Sequence, residues 1–98
     1  MTALRMATIN GAKALGLEQE IGSLTIGKAA DVIAVDLSYL ENQPLYCPVS
    51  ACVYSVSRQQ VADVWVAGKR LLKQRSLTTI NFTELMTKAA EWQRRLSI

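Results

Sequence analysis

The sequence predicts a single small α+β domain, and three patterns along its 98 residues indicate that class. An apolar helical pattern occupies residues 2–16, β-branched runs separated by turn residues fill the middle, and a second helical pattern covers residues 82–96. Half of the residues are apolar and 19% are charged, a balance that supports one core and is too apolar for a disordered tail.

The first element is a predicted helix that ends at Gly16, a residue typical of helix C-termini. Its apolar residues do not keep to one side. Leu4, Ala7, Gly11, Ala14 and Leu15 form one face, whereas Met6 and Ile9 lie on another. Because a single sheet covers only one face of a helix, we expect this helix to be covered by something beyond the chain itself.

The middle of the chain predicts strands and one short helix. The run VIAVDL predicts a strand over Val32–Leu37, and Pro48 suits the first turn of a short helix. In VADVWVAGKRLL, alternation predicts a hairpin with Val64 and Val66 towards a core and a turn at Ala67 and the following glycine. Trp65, inside this pattern, is expected to be a core residue.

The last element is a predicted amphipathic helix. Asn81 can cap it, with Glu84 three residues further on. Apolar residues then recur at helical spacing, namely Phe82, Leu85, Met86, Ala89 and Leu96. The pairs Glu84–Lys88 and Glu91–Arg95 have the i,i+4 spacing that favours ion pairs on an exposed helix surface.

The residues themselves predict no active site. There is no histidine, so the usual general base and the commonest zinc ligand are both missing. The acids lie on separate elements without a paired-carboxylate motif, which predicts solvated or capping roles for them: Glu18, Glu20, Asp31, Asp36, Glu41, Asp63, Glu84 and Glu91. No glycine pattern predicts a phosphate site. We therefore predict no catalytic, cofactor-binding or metal-binding residue.

Charge and cysteine content point to an ordinary cytoplasmic protein. The net charge of +3 is mild, and the cluster Lys69, Arg70, Lys73, Arg75 fits a charged strand edge better than a nucleic-acid site. Cys47 and Cys52 are predicted to be reduced, small hydrophobic residues. No apolar run is long enough for a membrane span.

Three segments in this order resemble the C-terminal part of the amidohydrolase superfamily: ALRMATINGAKALG, IGSLTIGKAADVIAVDL and CPVSACVYSVSRQQVADVWVAGKRLL. Within it they resemble the branch that contains methylthioadenosine/adenosylhomocysteine deaminases and triazine hydrolases, including N-ethylammeline chlorohydrolases. Gly27 would then supply a turn, and Asp31 would fix the start of the first strand through its side chain. Ala67 departs from the asparagine that usually precedes the turn glycine.

The resemblance implies that the chain is a fragment of a (β/α)₈-barrel enzyme. Residues 1–22 would be the last barrel helix and its exit loop, residues 23–80 part of a small composite β-sandwich, and residues 81–98 a C-terminal helix. The larger protein would use zinc or iron to hydrolyse a carbon–nitrogen or carbon–chlorine bond of a purine, pyrimidine or triazine-like ring. This chain would carry none of the catalytic residues and is not expected to be an enzyme by itself, whereas the larger protein that it resembles would be a metal-dependent hydrolase or deaminase.

Two other interpretations stay open from the sequence. The chain could be a free-standing interaction module that binds nucleic acid or a partner subunit, or a natural small subunit of a split hydrolase. If the chain is a fragment or a subunit of a hydrolase, the missing barrel or a partner subunit would cover its apolar surface. Alone, the chain is expected to form a homo-oligomer, with exchange of the first helix or of a strand between copies.

Overall fold

A computed structural model describes residues 2–97, and these residues confirm the α+β class. The helices are α1 (Thr2–Ala7), α2 (Ile9–Ala14), α3 (Pro48–Tyr54) and α4 (Phe82–Leu96). The strands are β1 (Val32–Val35), β2 (Val61–Val66), β3 (Lys69–Lys73) and β4 (Ser76–Leu77). Single turns of 3₁₀ helix lie at Leu40–Asn42 and Arg58–Gln60.

Thr8 divides the first helix, so the prediction of one continuous helix was wrong at this residue. The Thr8 backbone has φ −122° and ψ −102°, outside the helical region, and its hydroxyl donates to the carbonyl oxygen of Leu4 at 2.7 Å. A threonine hydroxyl bonded to the preceding turn competes with the helical backbone ladder. Gly16 ends α2 as predicted, with φ +72° and the Leu17 N–H donating to the Ala12 carbonyl at 2.9 Å.

The four strands form one antiparallel sheet in the order β1-β2-β3-β4, with Ile33 opposite Val64. Strand β1 ends at Val35 and not at Leu37, as the sequence had predicted. The register shifts between Ala34 and Val35, and the side chain of Asp36 then accepts hydrogen bonds from the Ser38 N–H at 2.9 Å and the Ser38 hydroxyl at 2.6 Å. This aspartate turn directs the chain away from the sheet.

The predicted hairpin is formed by β2 and β3, with Ala67 and Gly68 as its two-residue turn. Both turn residues have positive φ, 51° and 79°, as the twist of a two-residue hairpin favours. The Asp31 carboxylate accepts from the Ala67 N–H at 2.7 Å, and the Gly68 N–H donates to the Ala30 carbonyl at 3.0 Å. The expected role of Asp31 is thus confirmed, because its side chain links the start of β1 to this turn.

Substitution of Ala67 by asparagine should stabilise the chain by about 0.5–1 kcal/mol, since a left-handed conformation costs an L-residue with a Cβ roughly 1–2 kcal/mol and asparagine tolerates it better. Urea unfolding followed by tryptophan fluorescence measures the change. Ala67→Val is the matched control and should destabilise, because a β-branched side chain is poorly accommodated at positive φ. Equal stability of the two variants would contradict the turn geometry.

The valines of β2 are less covered than predicted. Val64 is half-buried, but Val66 is 47% exposed. The prediction that both face a core was therefore wrong for Val66 within this chain. The reason is that no second layer of the described residues covers the end of the hairpin, so alternation identifies the face but not whether it is filled.

The end of the described chain contains one element that the sequence did not predict and one that it did. Strand β4 follows a turn at Gln74 and Arg75, which have φ 47° and 67°. Helix α4 begins after Asn81, whose side-chain oxygen accepts from the Glu84 N–H at 3.0 Å, as predicted. The predicted Glu84–Lys88 ion pair is present at 3.3 Å.

The predicted Glu91–Arg95 ion pair is not among those formed by residues 2–97. The Arg95 guanidinium instead lies over the ring of Trp92, 5.6 Å from its centroid.

Candidate functional site

Residues 2–97 offer no site for a metal. Nowhere in this range do three or more histidine, cysteine, aspartate or glutamate side chains lie close enough together to hold an ion. The sequence has no histidine, so its donors are carboxylates and two thiols. The zinc or iron that the resemblance implies for a larger protein therefore does not fit the described residues of this chain.

Two aspartates are tied to backbone and arginine donors. Asp36 accepts from Ser38 and from the Arg75 guanidinium at 2.7 Å, and these hydrogen bonds, those from Ser38 first, lower the pKa of Asp36 to about 2. Asp63 accepts from the Arg70 guanidinium and from the Gln74 N–H at 3.0 Å, and the pKa of Asp63 is lowered chiefly by Arg70. Carboxylates with lowered pKa values are weak bases. Asp36 and Asp63 are therefore suited to accept hydrogen bonds within the structure and not to remove protons in catalysis.

Within the basic cluster both arginines are paired inside the chain, whereas Lys69 and Lys73 are exposed. Besides its bond to Asp63, the Arg70 guanidinium lies over the ring of Trp65, 5.1 Å from the centroid. Arg75 lies over Tyr39 at 5.3 Å. Both guanidinium groups are thus held by an aspartate and an aromatic ring of the same chain. Trp65 was expected to be a core residue, but it is only half-buried.

A cluster of buried amides connects the sheet to the loops, and the sequence analysis missed it. Gln60 is 2% exposed: its side-chain oxygen accepts from the Ser57 N–H at 3.0 Å, and its amide nitrogen donates to the Asp36 carbonyl at 3.0 Å. The same nitrogen donates to Asn42, whose own amide donates to the Ser55 hydroxyl at 3.0 Å. The only sequence signal was the serine and glutamine spacing of a capping box over Ser57–Gln60.

The cysteines differ from their prediction in burial. Cys47 and Cys52 are free thiols, and both are exposed, so neither packs as a small core hydrophobe. Residue Cys47 lies just before α3, and a hydrogen bond from the Ser50 side chain is the main cause that lowers the pKa of the Cys47 thiol.

The main feature of the described surface is that it is apolar and uncovered. Ala12 is the one apolar residue of this range that is buried, at 3% exposure. Large side chains are exposed along α1 and α2, in the loop before β1 and on α4, for example Met6, Leu15, Leu24, Ile26, Trp92 and Leu96. A groove between α1 and α3 is lined by Met6, Val49, Val53 and Tyr54, among others. Exposed apolar surface of this extent is typical of a place where another protein surface packs.

The dimensions of the chain also indicate that much of its surface is uncovered. Its accessible surface is 7917 Å², whereas a compact protein of 10.8 kDa is expected to expose roughly 5,500 Å². The radius of gyration is 17.3 Å, against about 13 Å for a compact domain of this length. None of the described helices has both the length and the apolar content needed to cross a membrane.

The described residues form an antiparallel sheet flanked by helices whose apolar faces are uncovered. The chain belongs to the amidohydrolase family, whose sequence model matches residues 1–71. It is 52% identical to the 5-methylthioadenosine/S-adenosylhomocysteine deaminase of Teredinibacter turnerae, over 97% of this chain and 22% of that protein. It is 39% identical to the protein of the same name from Aquifex aeolicus, again over 97% of this chain and 22% of the other.

Solved structures give the same result. A zinc-bound adenosine deaminase from Xanthomonas campestris superimposes with a TM-score of 0.88 at 48% identity, covering 96% of this chain and 21% of that one. The zinc-bound atrazine chlorohydrolase from Arthrobacter aurescens has the same fold over 90% of this chain, with a TM-score of 0.79 at 23% identity. The chain thus spans about a fifth of the length of the relatives it matches.

Proposed function

We propose that the chain is a non-catalytic structural segment of a metal-dependent amidohydrolase that deaminates a purine nucleoside such as 5-methylthioadenosine or S-adenosylhomocysteine. In this proposal residues 1–22 are the last barrel helix and its exit loop, residues 23–80 are part of a composite β-sandwich, and residues 81–98 are the C-terminal helix. The bound metal, zinc or iron, would be held by the remainder of the enzyme and would activate the hydrolytic water.

The observation that carries the proposal is the uncovered apolar surface around α1, α2 and α3. Two helices whose described residues bury one apolar side chain, Ala12, lack most of the stabilisation that core burial normally supplies. The 52% identity to a deaminase of which the chain spans 22% supports a larger body as the cover. The closely bonded aspartates support the non-catalytic part, because Asp36, just after β1, and Asp63, in β2, already serve as hydrogen-bond acceptors.

A chimeric enzyme tests this proposal. The matched 95 residues of the Teredinibacter turnerae deaminase are replaced by those of this chain. The chimera should deaminate 5-methylthioadenosine with kcat/KM within about tenfold of the unmodified enzyme, or ~1.4 kcal/mol of transition-state stabilisation, since the exchanged segment would touch no reacting atom. This chain alone, supplied with zinc or iron, should show no turnover.

Two controls make the result interpretable. The same deaminase without the matched residues should be inactive, and supplying this chain to it as a separate polypeptide tests whether the segment also works in trans. A chimera that folds and binds zinc but is inactive would refute the proposal. So would metal-dependent turnover by the purified chain alone that rises in proportion to its concentration.

A further inference from the structure

The three asparagines of the chain have different surroundings in the structure. Asn42 is 6% exposed, and its side-chain amide donates to the Ser55 hydroxyl at 3.0 Å. Asn81 caps α4, where its side-chain oxygen accepts from the Glu84 N–H at 3.0 Å. Asn10 lies in α2 and is exposed. Two of the three side chains are therefore fixed by hydrogen bonds, and the third is at the surface of a short helix.

Asn10 also differs in the residue that follows it, which is Gly11. The other two asparagines are followed by Gln43 and Phe82. The backbone nitrogen of the next residue can attack the side-chain carbonyl carbon of an asparagine, and a side chain on that next residue hinders the approach. Glycine has no Cβ and allows the widest range of backbone angles. The Asn10–Gly11 pair is therefore the one in this chain at which such an attack meets the least hindrance.

The part of α2 that contains this pair is weakly held. Helix α2 has six residues and buries only Ala12, and helices this short are marginal without extensive packing. Thr8 precedes α2 but makes no side-chain cap bond to it, and its hydroxyl donates instead to the Leu4 carbonyl. Gly11 is the third residue of α2, and the first N–H groups of a helix have no intrahelical acceptor. A local rotation that brings the Gly11 nitrogen to the Asn10 side chain therefore breaks few hydrogen bonds.

We propose that Asn10 is a site of spontaneous deamidation in the folded chain, with the Gly11 backbone nitrogen as the nucleophile. This nitrogen bonds to the Asn10 side-chain carbonyl carbon, the carbon–nitrogen bond of the side-chain amide breaks, and ammonia leaves with the proton that Gly11 loses. Water then opens the resulting cyclic imide at either carbonyl carbon and returns a proton to the Gly11 nitrogen. The products are aspartate and isoaspartate. Because the two reacting groups are neighbours in one chain, the reaction needs no metal or partner and is independent of the proposed function.

Deamidation at Asn10 changes both the charge and the backbone of α2. A neutral amide becomes a carboxylate, so the net charge of +3 falls by one to +2. In the isoaspartate product the main chain passes through the side-chain carbon, and this longer linkage interrupts the helical repeat. The loop before β1 packs at this place, since a Cβ atom on Gly22 would lie 3.0 Å from the Cα of Ile9 and 3.2 Å from the Thr8 carbonyl oxygen. The isoaspartate product should therefore release this loop and unfold at a lower urea concentration.

Peptide mapping of the aged chain tests the proposal. Trypsin places each asparagine in a separate peptide, namely residues 6–13, 29–58 and 76–88. The purified chain is kept in mildly alkaline buffer, and samples are digested in mildly acidic buffer so that digestion itself adds little deamidation. Mass spectrometry should show the change from amide to carboxylate in residues 6–13 at least roughly tenfold faster than in the other two peptides. An isoaspartyl methyltransferase should label the same peptide.

Two variants and a change of solvent separate the causes. Asn10→Gln should nearly stop the change in residues 6–13, because a larger ring closes slowly, and Gly11→Ala should slow it, with circular dichroism to check that the fold is kept. Urea should accelerate the reaction of Asn10 by at most about tenfold, whereas Asn42, released from its hydrogen bonds, should accelerate much more. The proposal is overturned if Asn10 in buffer reacts no faster than Asn42 and Asn81, if Gly11→Ala leaves its rate unchanged, or if urea accelerates it as much as Asn42.

Discussion

Gly22→Ala should destabilise the chain by about 2–5 kcal/mol, which would leave much of a domain this small unfolded. A Cβ atom at this position would lie 2.8 Å from the Cβ of Ala12, 3.0 Å from the Cα of Ile9 and 3.2 Å from the carbonyl oxygen of Thr8. Two of these three atoms belong to the backbone and cannot rotate away. Gly22 also has φ +97°, a conformation that alanine adopts only with strain.

Gly16→Ala is the matched control for that substitution. Gly16 also has positive φ, at +72°, but nothing lies within 4 Å of the position that its Cβ would take. Its replacement should therefore cost only the conformational part, roughly 1–2 kcal/mol. Urea unfolding followed by circular dichroism measures both variants. Equal losses would show that Gly22 is needed for its backbone angle alone and that the loop does not pack against α2.

The contact at Gly22 explains how the loop before β1 is fixed. Gly22 brings the loop against Ala12, and the Ala29 N–H then donates to the Glu20 carbonyl at 2.8 Å. Asp31 follows and holds the turn between β2 and β3. The loop between α2 and the sheet is thus held by backbone contacts more than by a core. This is consistent with a segment whose apolar sides pack on another surface.

Local patterns predicted most of the elements because their causes are local. Alternating valines identified β2, Pro48 identified the start of α3, and Asn81 identified the cap of α4. Gly16 was a correct stop for the same reason, since a helix C-terminus in the left-handed region favours glycine. The resemblance supplied the family, which the comparisons confirm.

Features that depend on distant partners could not be predicted in the same way. Thr8 is a local exception: it fits a helical pattern, and the break there is seen only in its backbone angles. Strand β4 has two residues and no periodicity, and it forms because Gln74 and Arg75 accept positive φ angles. Those angles are held by bonds to Asp63 and to the carbonyl of Ala62.

Burial was the least predictable property. Apolar patterning told which side of α4 or β2 is hydrophobic, but exposure of Val66 and Trp92 depends on what packs there, and the described residues supply no cover. Conversely, Gln60 is polar and follows two polar residues, Arg58 and Gln59, yet it is among the most buried side chains of the described range. A buried amide follows from hydrogen bonds to residues distant in sequence, which no local pattern encodes.

Gln60→Leu should destabilise the chain by about 2–4 kcal/mol, even though leucine has a similar volume and is more apolar. The substitution leaves the Ser57 N–H, the Asp36 carbonyl and the Asn42 side chain without the partner that each has in the structure. A buried polar group without a partner typically costs about 1–3 kcal/mol, and this cost exceeds the gain from burying a leucine side chain at the same site.

Gln59→Leu provides the comparison for Gln60→Leu, because Gln59 is the exposed neighbour and only its backbone carbonyl accepts a bond, from Arg75 at 3.3 Å. Its replacement should change the free energy of unfolding by no more than about 0.5 kcal/mol. A double-mutant cycle between Gln60→Ala and Asn42→Ala should give a coupling energy of about 0.5–3 kcal/mol, since the two side chains share one hydrogen bond inside the cluster. Additive losses in that cycle, or a Gln60→Leu variant as stable as Gln59→Leu, would mean that the loops and the sheet are not joined through these amides.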